Sequence, residues 1–196
     1  MTITSERLML ADLVVIDPRS GVLPAAVGES VKGEAPRVDT LDGKTLAVIS
    51  NGMGSANILQ KALLARLRAR YDLKDVIVVR KPSVSVPPSR KDWQEVVARA
   101  DVGITLFGGC GSCTSRTTRD AIELEWAGIP AVAICHEALF GSAEAIRKMS
   151  KMPDYPVVTV GYPAGPTAEW DDDILENVLE LIEPQVLARL IVGSTR

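Results

Sequence analysis

Short runs of β-branched and aliphatic residues alternate along this chain with stretches whose apolar positions recur every three or four residues. TLAVIS (45–50) leads through NGMGSAN into ILQKALLARLRARY, where Leu59, Leu63 and Leu67 recur at every fourth position beside Ile58 and Ala62. That stripe predicts an amphipathic helix. DVIVV (75–79) leads through RKPSVSVPPS into RKDWQEVVARA, where Ser89 and Asp92 form a capping pair and Trp93, Val96 and Val97 supply an apolar face. DVGITLF (101–107) leads through a glycine- and cysteine-rich turn into TTRDAIELEWA, which Gly128 closes as a C-cap. PAVAIC (130–135) runs into HEALFGSAEAIRKMS, and YPVVTVG (155–161) is followed by YPAGPTAEW. Two helices are then predicted, at about 171–183 and 184–192. Asp171, Asp172 and Asp173 open the first at its favourable dipole end, and Pro184 takes the first position of the second.

Five strands alternating with helices predict an α/β fold: a parallel sheet covered on both faces. Right-handed crossovers make it doubly wound, flavodoxin-like, with strand order 2-1-3-4-5. Residues 45–196 form a single α/β domain in this reading. Residues 1–44 stand outside the alternation, as an N-terminal arm or an edge strand built from LADLVVIDP, with LDGK (41–44) turning into the first strand.

Composition narrows the function. The 196 residues are 46 % hydrophobic and 24 % charged, the balance of a soluble globular protein with a full core. Aromatics are only 4 % and the formal net charge is −3, which argues against a nucleic-acid partner. No apolar run is long enough for a membrane helix, and the N-terminus lacks a signal peptide's apolar stretch. A cytoplasmic protein is expected, whose three cysteines stay reduced rather than forming a disulfide framework. The N-terminal segment and the apolar C-terminal helix suit a subunit interface, so a homo- or hetero-oligomer is expected.

In doubly wound sheets ligands bind beyond the carboxyl ends of the strands. That edge collects Asn51, Gly52, Met53, Gly54 and Ser55 after the first strand, and Arg80, Lys81 and Ser83 after the second. The cysteine turn follows the third strand, Cys135, His136 and Glu137 the fourth, and Gly161, Tyr162 and Pro163 the fifth. All three cysteines and the only histidine therefore fall on one edge, and the adjacency of the third and fourth strands would bring Cys110, Cys113 and Cys135 together.

Cys110 and Cys113 have Cys-x-x-Cys spacing before a helix. A helix N-terminus lowers a thiol's pKa toward the thiolate. Gly108, Gly109 and Gly111 allow close approach of backbone to ligand. Two thiols at this spacing can attack and resolve in turn, and Arg116 and Arg119 add positive charge. Packing as two small buried residues is the plainer alternative. So is zinc held by Cys110, Cys113, Cys135 and His136. Against zinc, no second Cys-x-x-Cys follows, and adjacent Cys135 and His136 would both have to turn inward.

The loop after the first strand nearly matches Gly-x-Gly-x-x-Gly, with Asn57 in the third place. Arg80 and Lys81 stand where a dinucleotide site of the common type has an acid, so only a phosphorylated nicotinamide cofactor stays compatible. The simpler readings are an anion cradle with Asn51 and Ser55, or a tight turn. His136 is a candidate proton carrier near neutral pH.

With these residues in view, GGCGSCTSRTTRDAIELEWAGIPAVAICHEAL resembles the UGSC family, named for a Sec/Cys-Gly-Ser-Cys motif followed by Thr-Ser. LDGKTLAVISNGMGSAN and VVRKPSVSVP resemble its first two loops, so the likeness covers roughly residues 40–160. The resemblance implies that Cys110 stands at the position selenocysteine can occupy, and that Cys113 is its partner. Gly109 stands where an acidic residue is expected. AICHEAL is also similar to the Cys-Thr-Glu loop of the aspartate/glutamate racemase superfamily, with His136 in place of Thr.

The expected function is a thiol-dependent enzyme, an oxidoreductase in the first instance, with Cys110 as nucleophile or redox-active thiolate and Cys113 resolving. Cys135 and His136 complete the catalytic set. A small carboxylate- or phosphate-bearing substrate would be held by Asn51, Gly52, Ser55, Arg80, Lys81, Ser83, Gly109, Gly111, Ser112, Thr114, Ser115 and Glu137. No cofactor and no metal enter this reading. The alternatives are a cofactor-independent lyase, hydratase or isomerase with paired thiols as acid and base, and a non-catalytic partner subunit or redox- or metal-sensing module.

Overall fold

The computed structural model describes residues 33–161 and 169–193. The LADLVVIDP segment and Tyr162 and Pro163 lie outside the described residues. In chain order the elements are β1 (Thr45–Ser50), α1 (Ala56–Arg70), β2 (Asp75–Arg80), α2 (Arg90–Arg99), β3 (Val102–Gly108) and α3 (Gly111–Trp126). They continue with β4 (Ala131–His136), a 3-10 turn (Glu137–Leu139), α4 (Phe140–Met149), β5 (Val157–Val160) and α5 (Asp172–Leu190).

The five strands form one parallel sheet in the order β2-β1-β3-β4-β5. The fold is the doubly wound α/β arrangement that the alternation predicts. β1, β3 and β4 are buried along their whole length, as strands sandwiched between two helix layers must be. Leu46, Val48, Val132 and Ile134 face one layer, packed with Leu59, Leu63 and Leu67 of α1 and Val178, Ile182 and Val186 of α5. Ala47, Ile49, Ala131 and Ala133 face the other, with Trp93 of α2, and Ile122 and Leu124 of α3. The small alanines on this second face let α3 lie close to the sheet.

Two helix boundaries differ from expectation. The two C-terminal helices are one, α5, with Pro184 inside it. Proline removes one helical hydrogen bond and crowds the preceding turn. Val178, Leu179 and Ile182 before it and Val186, Leu187 and Leu190 after it are all buried, and that continuous burial holds the helix together across the break. The third helix begins at Gly111 rather than near Thr117, so the cysteine turn is itself the first turn of α3.

Ahead of β1, Leu41 is buried in the first core layer. Val38 bridges to Ile191 after α5. Glu125, near the end of α3, accepts from the backbone N–H of Ala35 (2.6 Å), from Arg37 Nη1 (2.9 Å to each oxygen) and from the N–H of Ala131 (2.8 Å). Burial pushes the Glu125 carboxyl above its ordinary range, against the pull of Arg37 and the two N–H donors. This carboxylate ties residues 35–37 to the helix and to the start of β4.

Candidate functional site

The site is built on the start of α3. Cys110 is the N-cap, in extended backbone (φ −148°, ψ 168°), and its Sγ accepts from the backbone N–H of Cys113 at 3.2 Å. A sulfur takes the capping place that a serine or aspartate oxygen usually holds. Cys110 and Cys113 are joined as a disulfide with Cα atoms 5.0 Å apart. Of the three thiols expected, one pair is therefore oxidised and Cys135 is free. Cys113 is buried, Cys110 is half-buried, and Gly111 and Ser112 are exposed. Backbone N–H groups in a helix's first turn have no acceptor within the helix, so this end offers donors and a positive dipole end to an anion.

Three neighbouring loops complete the edge. After β1, Asn51 donates through Nδ2 to the carbonyl of Phe107 (2.7 Å), and its Oδ1 accepts from the N–H of Met53 (3.1 Å). Asn51 is buried and both ends of its amide are engaged, so it clamps this loop to β3 rather than facing a ligand. Gly52 has φ +70°, and a Cβ there would lie 3.4 Å from Arg80 Nε, so the exposed Arg80 side chain crosses the loop at Gly52. Met53, next along, places Sδ 3.1 Å from Cys113 Sγ. The Ser55 hydroxyl accepts from the N–H of Trp170 (2.9 Å) and anchors the segment before α5. After β2, Ser83 is exposed, and the Ser85 hydroxyl meets the Ser112 hydroxyl at 2.9 Å. Ser112 Oγ is also 3.6 Å from Cys110 Sγ. The Ser115 hydroxyl donates back to the Gly111 carbonyl (2.9 Å). The Gly109 N–H donates to the Phe107 carbonyl at 3.0 Å.

Burial places several of the expected residues away from the open edge. Cys135 is fully buried, and burial pushes its thiol up to about 12. It lies behind Gly108, whose added Cβ would fall 2.4 Å from Cys135 Cβ and 2.7 Å from Thr114 Oγ1. Thr114 is buried with it, and its hydroxyl has no hydrogen-bond partner among the described residues. These two residues form the wall under the cysteine turn and do not open onto it. Strand alternation also separates Cys135 from His136. Cys135 shares the face of Ala131 and Ala133, whereas His136 shares the face of Val132 and Ile134. The two cannot turn to one metal. Among the described residues no group of three or more His, Cys, Asp or Glu side chains is placed to hold a metal ion. His136 Nδ1 accepts from the Ala138 N–H at 3.1 Å, which assigns the ring proton of a neutral imidazole to Nε2.

Lys81 does not face the edge either. It is buried with Nζ 2.7 Å from Asp120 Oδ2 on α3. Burial lowers the Lys81 pKa and raises that of Asp120, each opposed by the other's charge. Arg116 pairs with Asp120 (2.8 Å) and Glu123 (2.7 Å), and Arg119 with Glu123 (2.8 Å). The positive charge expected of Arg116 and Arg119 is thus spent along α3 itself. Arg80 is the basic residue of this pair that stays at the surface. Glu137 is exposed after β4, and its carboxyl lies where a Cβ on Gly161 would be, within 2.5 Å. Ser85 and Asp120 were not named by sequence reasoning; Met53 was named only as part of the loop after the first strand, and Gly108 only for close approach of backbone to a ligand. Met53 alone carried a signal, as the one long apolar side chain in a loop otherwise made of small and polar residues.

The fold and this edge define a class: a doubly wound α/β protein whose third helix is capped by the first cysteine of a Cys-Gly-Ser-Cys turn. The sequence profile of the UGSC family matches residues 14–192, and the chain belongs to that family. Neither the curated proteins nor the solved structures offer a significant match. No helix among the described residues is long and apolar enough to cross a membrane.

Proposed function

We propose that the protein is a cysteine-dependent oxidoreductase acting on a small anionic substrate, with Cys110 as the attacking thiolate and Cys113 as the resolving thiol. The observation that carries this reading is the N-cap position of Cys110: half-buried, in contact with the Cys113 N–H, and bonded to Cys113. A negative charge on that sulfur is favoured by the donor it already engages and by the helix dipole. The substrate's anionic group is held by the first-turn N–H groups of the exposed residues Gly111 and Ser112, by the Ser112 hydroxyl and by Arg80. Asn51, Ser85 and Ser115 position the loops, and Glu137 is the carboxylate available at the same edge.

A disulfide substrate is reduced in two exchanges. The Cys110 thiolate bonds to one substrate sulfur, and the other leaves as a thiolate that takes a proton from water. The Cys113 thiolate then bonds to Cys110 Sγ and expels the remaining substrate sulfur. The chain is left with the Cys110–Cys113 disulfide, which an external dithiol returns to the reduced state at the cost of its own oxidation.

The test uses reduced protein and an anionic aromatic disulfide, dithiobis(nitrobenzoate). The wild type should react rapidly below neutral pH and release both aromatic thiols. Cys113→Ser should release only the first and keep the second as a mixed disulfide on Cys110. Cys110→Ser should lose the rapid phase. A Cys110→Ser protein that reacts as fast as wild type would falsify the assignment.

A further inference from the structure

We propose that the reduced chain binds a single copper(I) ion through three sulfur atoms: the thiolates of Cys110 and Cys113 and the thioether of Met53. This goes beyond the thiol chemistry above and does not rest on it. The carrying observation is the contact of Met53 Sδ with Cys113 Sγ at 3.1 Å, made across sixty positions of sequence, between the loop after β1 and the first turn of α3. Asn51 fixes the Met53 backbone from one side through its side-chain oxygen, and holds the whole loop against β3 through its amide. The third sulfur is thus brought to the pair by a clamped backbone. Cys110 and Met53 are both half-buried, and Gly54, Gly111 and Ser112 beside them are exposed, so an ion reaches Cys110 and Met53 from solvent and meets the buried Cys113 from that side.

The donor set selects the metal. Thiolate and thioether are soft ligands, and together they favour copper(I) over harder divalent ions. Zinc wants four nitrogen, oxygen or thiolate donors. The described residues offer no third His, Cys, Asp or Glu beside the pair, and Cys135 is sealed behind Gly108. Two thiolates and one monovalent cation leave a single negative charge, seated at the positive end of the sixteen-residue helix α3. A water-soluble phosphine reduces the disulfide and becomes its oxide with oxygen from water, leaving two thiols. Copper(I) then replaces the two thiol protons, which pass to solvent, and the metal keeps its oxidation state.

The experiment titrates the full chain with a copper(I)–acetonitrile complex, without oxygen, in competition with the coloured chelator bicinchoninate. X-ray absorption then counts the sulfur neighbours of the bound ion. The expected result is one copper per chain with three sulfur neighbours, not displaced by equimolar zinc. Met53→Leu, and independently Met53→Gln, should leave two sulfur neighbours and weaken binding by roughly 10-fold or more, since even a partner that only supports a metal ligand is worth about 10- to 100-fold. Cys135→Ala should bind as wild type does. Copper that stays with the chelator, two sulfur neighbours in the wild type, or Met53 variants with unchanged affinity would each overturn the proposal. Reaction with the aromatic disulfide is read separately, so either proposal can fail alone.

Discussion

Gly108→Ala places one methyl group where the structure has no room. The new Cβ would sit 2.4 Å from Cys135 Cβ, 2.7 Å from Thr114 Oγ1 and 3.1 Å from Thr114 Cα. Cys135 Cβ is fixed by β4 and Thr114 Cα by α3, so neither can swing aside as the end of a long side chain can. Inserting a methyl into a packed wall typically costs about 1–3 kcal/mol. With rigid backbone on two sides, about 3 kcal/mol is expected here. For a chain of this size that lowers Tm by roughly 6–12 °C. The same substitution at Gly141 is the control. Gly141 is in α4, and a Cβ there meets nothing within 4 Å. Alanine should there stabilise by roughly 0.5 kcal/mol, because glycine is the poorer helix former. Urea unfolding of both variants, fitted with a common slope, reads the two signs directly. A Gly108→Ala protein within about 0.5 kcal/mol of wild type would refute the reasoning, since surface-like tolerance at this position contradicts a closed wall.

Lys81→Met removes the ammonium from a fully buried pair and leaves Asp120 with Arg116 alone; losing one partner of a buried ion pair costs about 3–5 kcal/mol, and the remaining Arg116 contact sets this case near the lower figure. Chemical denaturation measures it, and a loss under about 1 kcal/mol would show the pair to be solvated. The Cys135 thiol gives a pH dependence. Its folded pKa is raised by burial from 9.0 to about 12, so the folded chain holds a proton that the unfolded chain releases. Stability is therefore complete below about 9 and falls as pH rises toward about 12. Tyr155, also raised by burial, adds to the same decline. Cys135→Ala should make the alkaline decline shallower, and an unchanged slope would contradict the assignment.

The strands were legible because β-branched runs at this spacing have few other homes. TLAVIS matches β1 residue for residue, and the remaining four strands lie within two residues of their predicted bounds. The doubly wound arrangement followed from the connection rules, and the order 2-1-3-4-5, chosen among the common doubly wound orders, is the one observed. The start of α3 was not legible, because Gly111, Ser112 and Ser115 are poor helix formers and read locally as a turn. A sulfur cap at Cys110 and the burial of Cys113, Thr114 and Thr117 override that propensity. Pro184 misled for the same reason: its local cost is real, but burial on both sides outweighs it. At the site, the edge rule located the cysteine turn and its neighbouring loops. It could not say which side chains point outward. Lys81 and Arg80 are adjacent in sequence, yet strand alternation sends one inward to Asp120, 39 positions away, and leaves the other at the surface. The Met53 contact is equally remote in sequence and has no periodic signature.

Three cysteines permit three intramolecular pairings. The close packing of Gly108 against Cys135 and Thr114 reduces that choice to one. A thiol that keeps its proton at neutral pH and never meets solvent neither attacks a disulfide nor is attacked by a thiolate. Repeated oxidation and reduction of this chain therefore returns to the same bond each time, without scrambling within the molecule and without cross-linking through Cys135 to a second one.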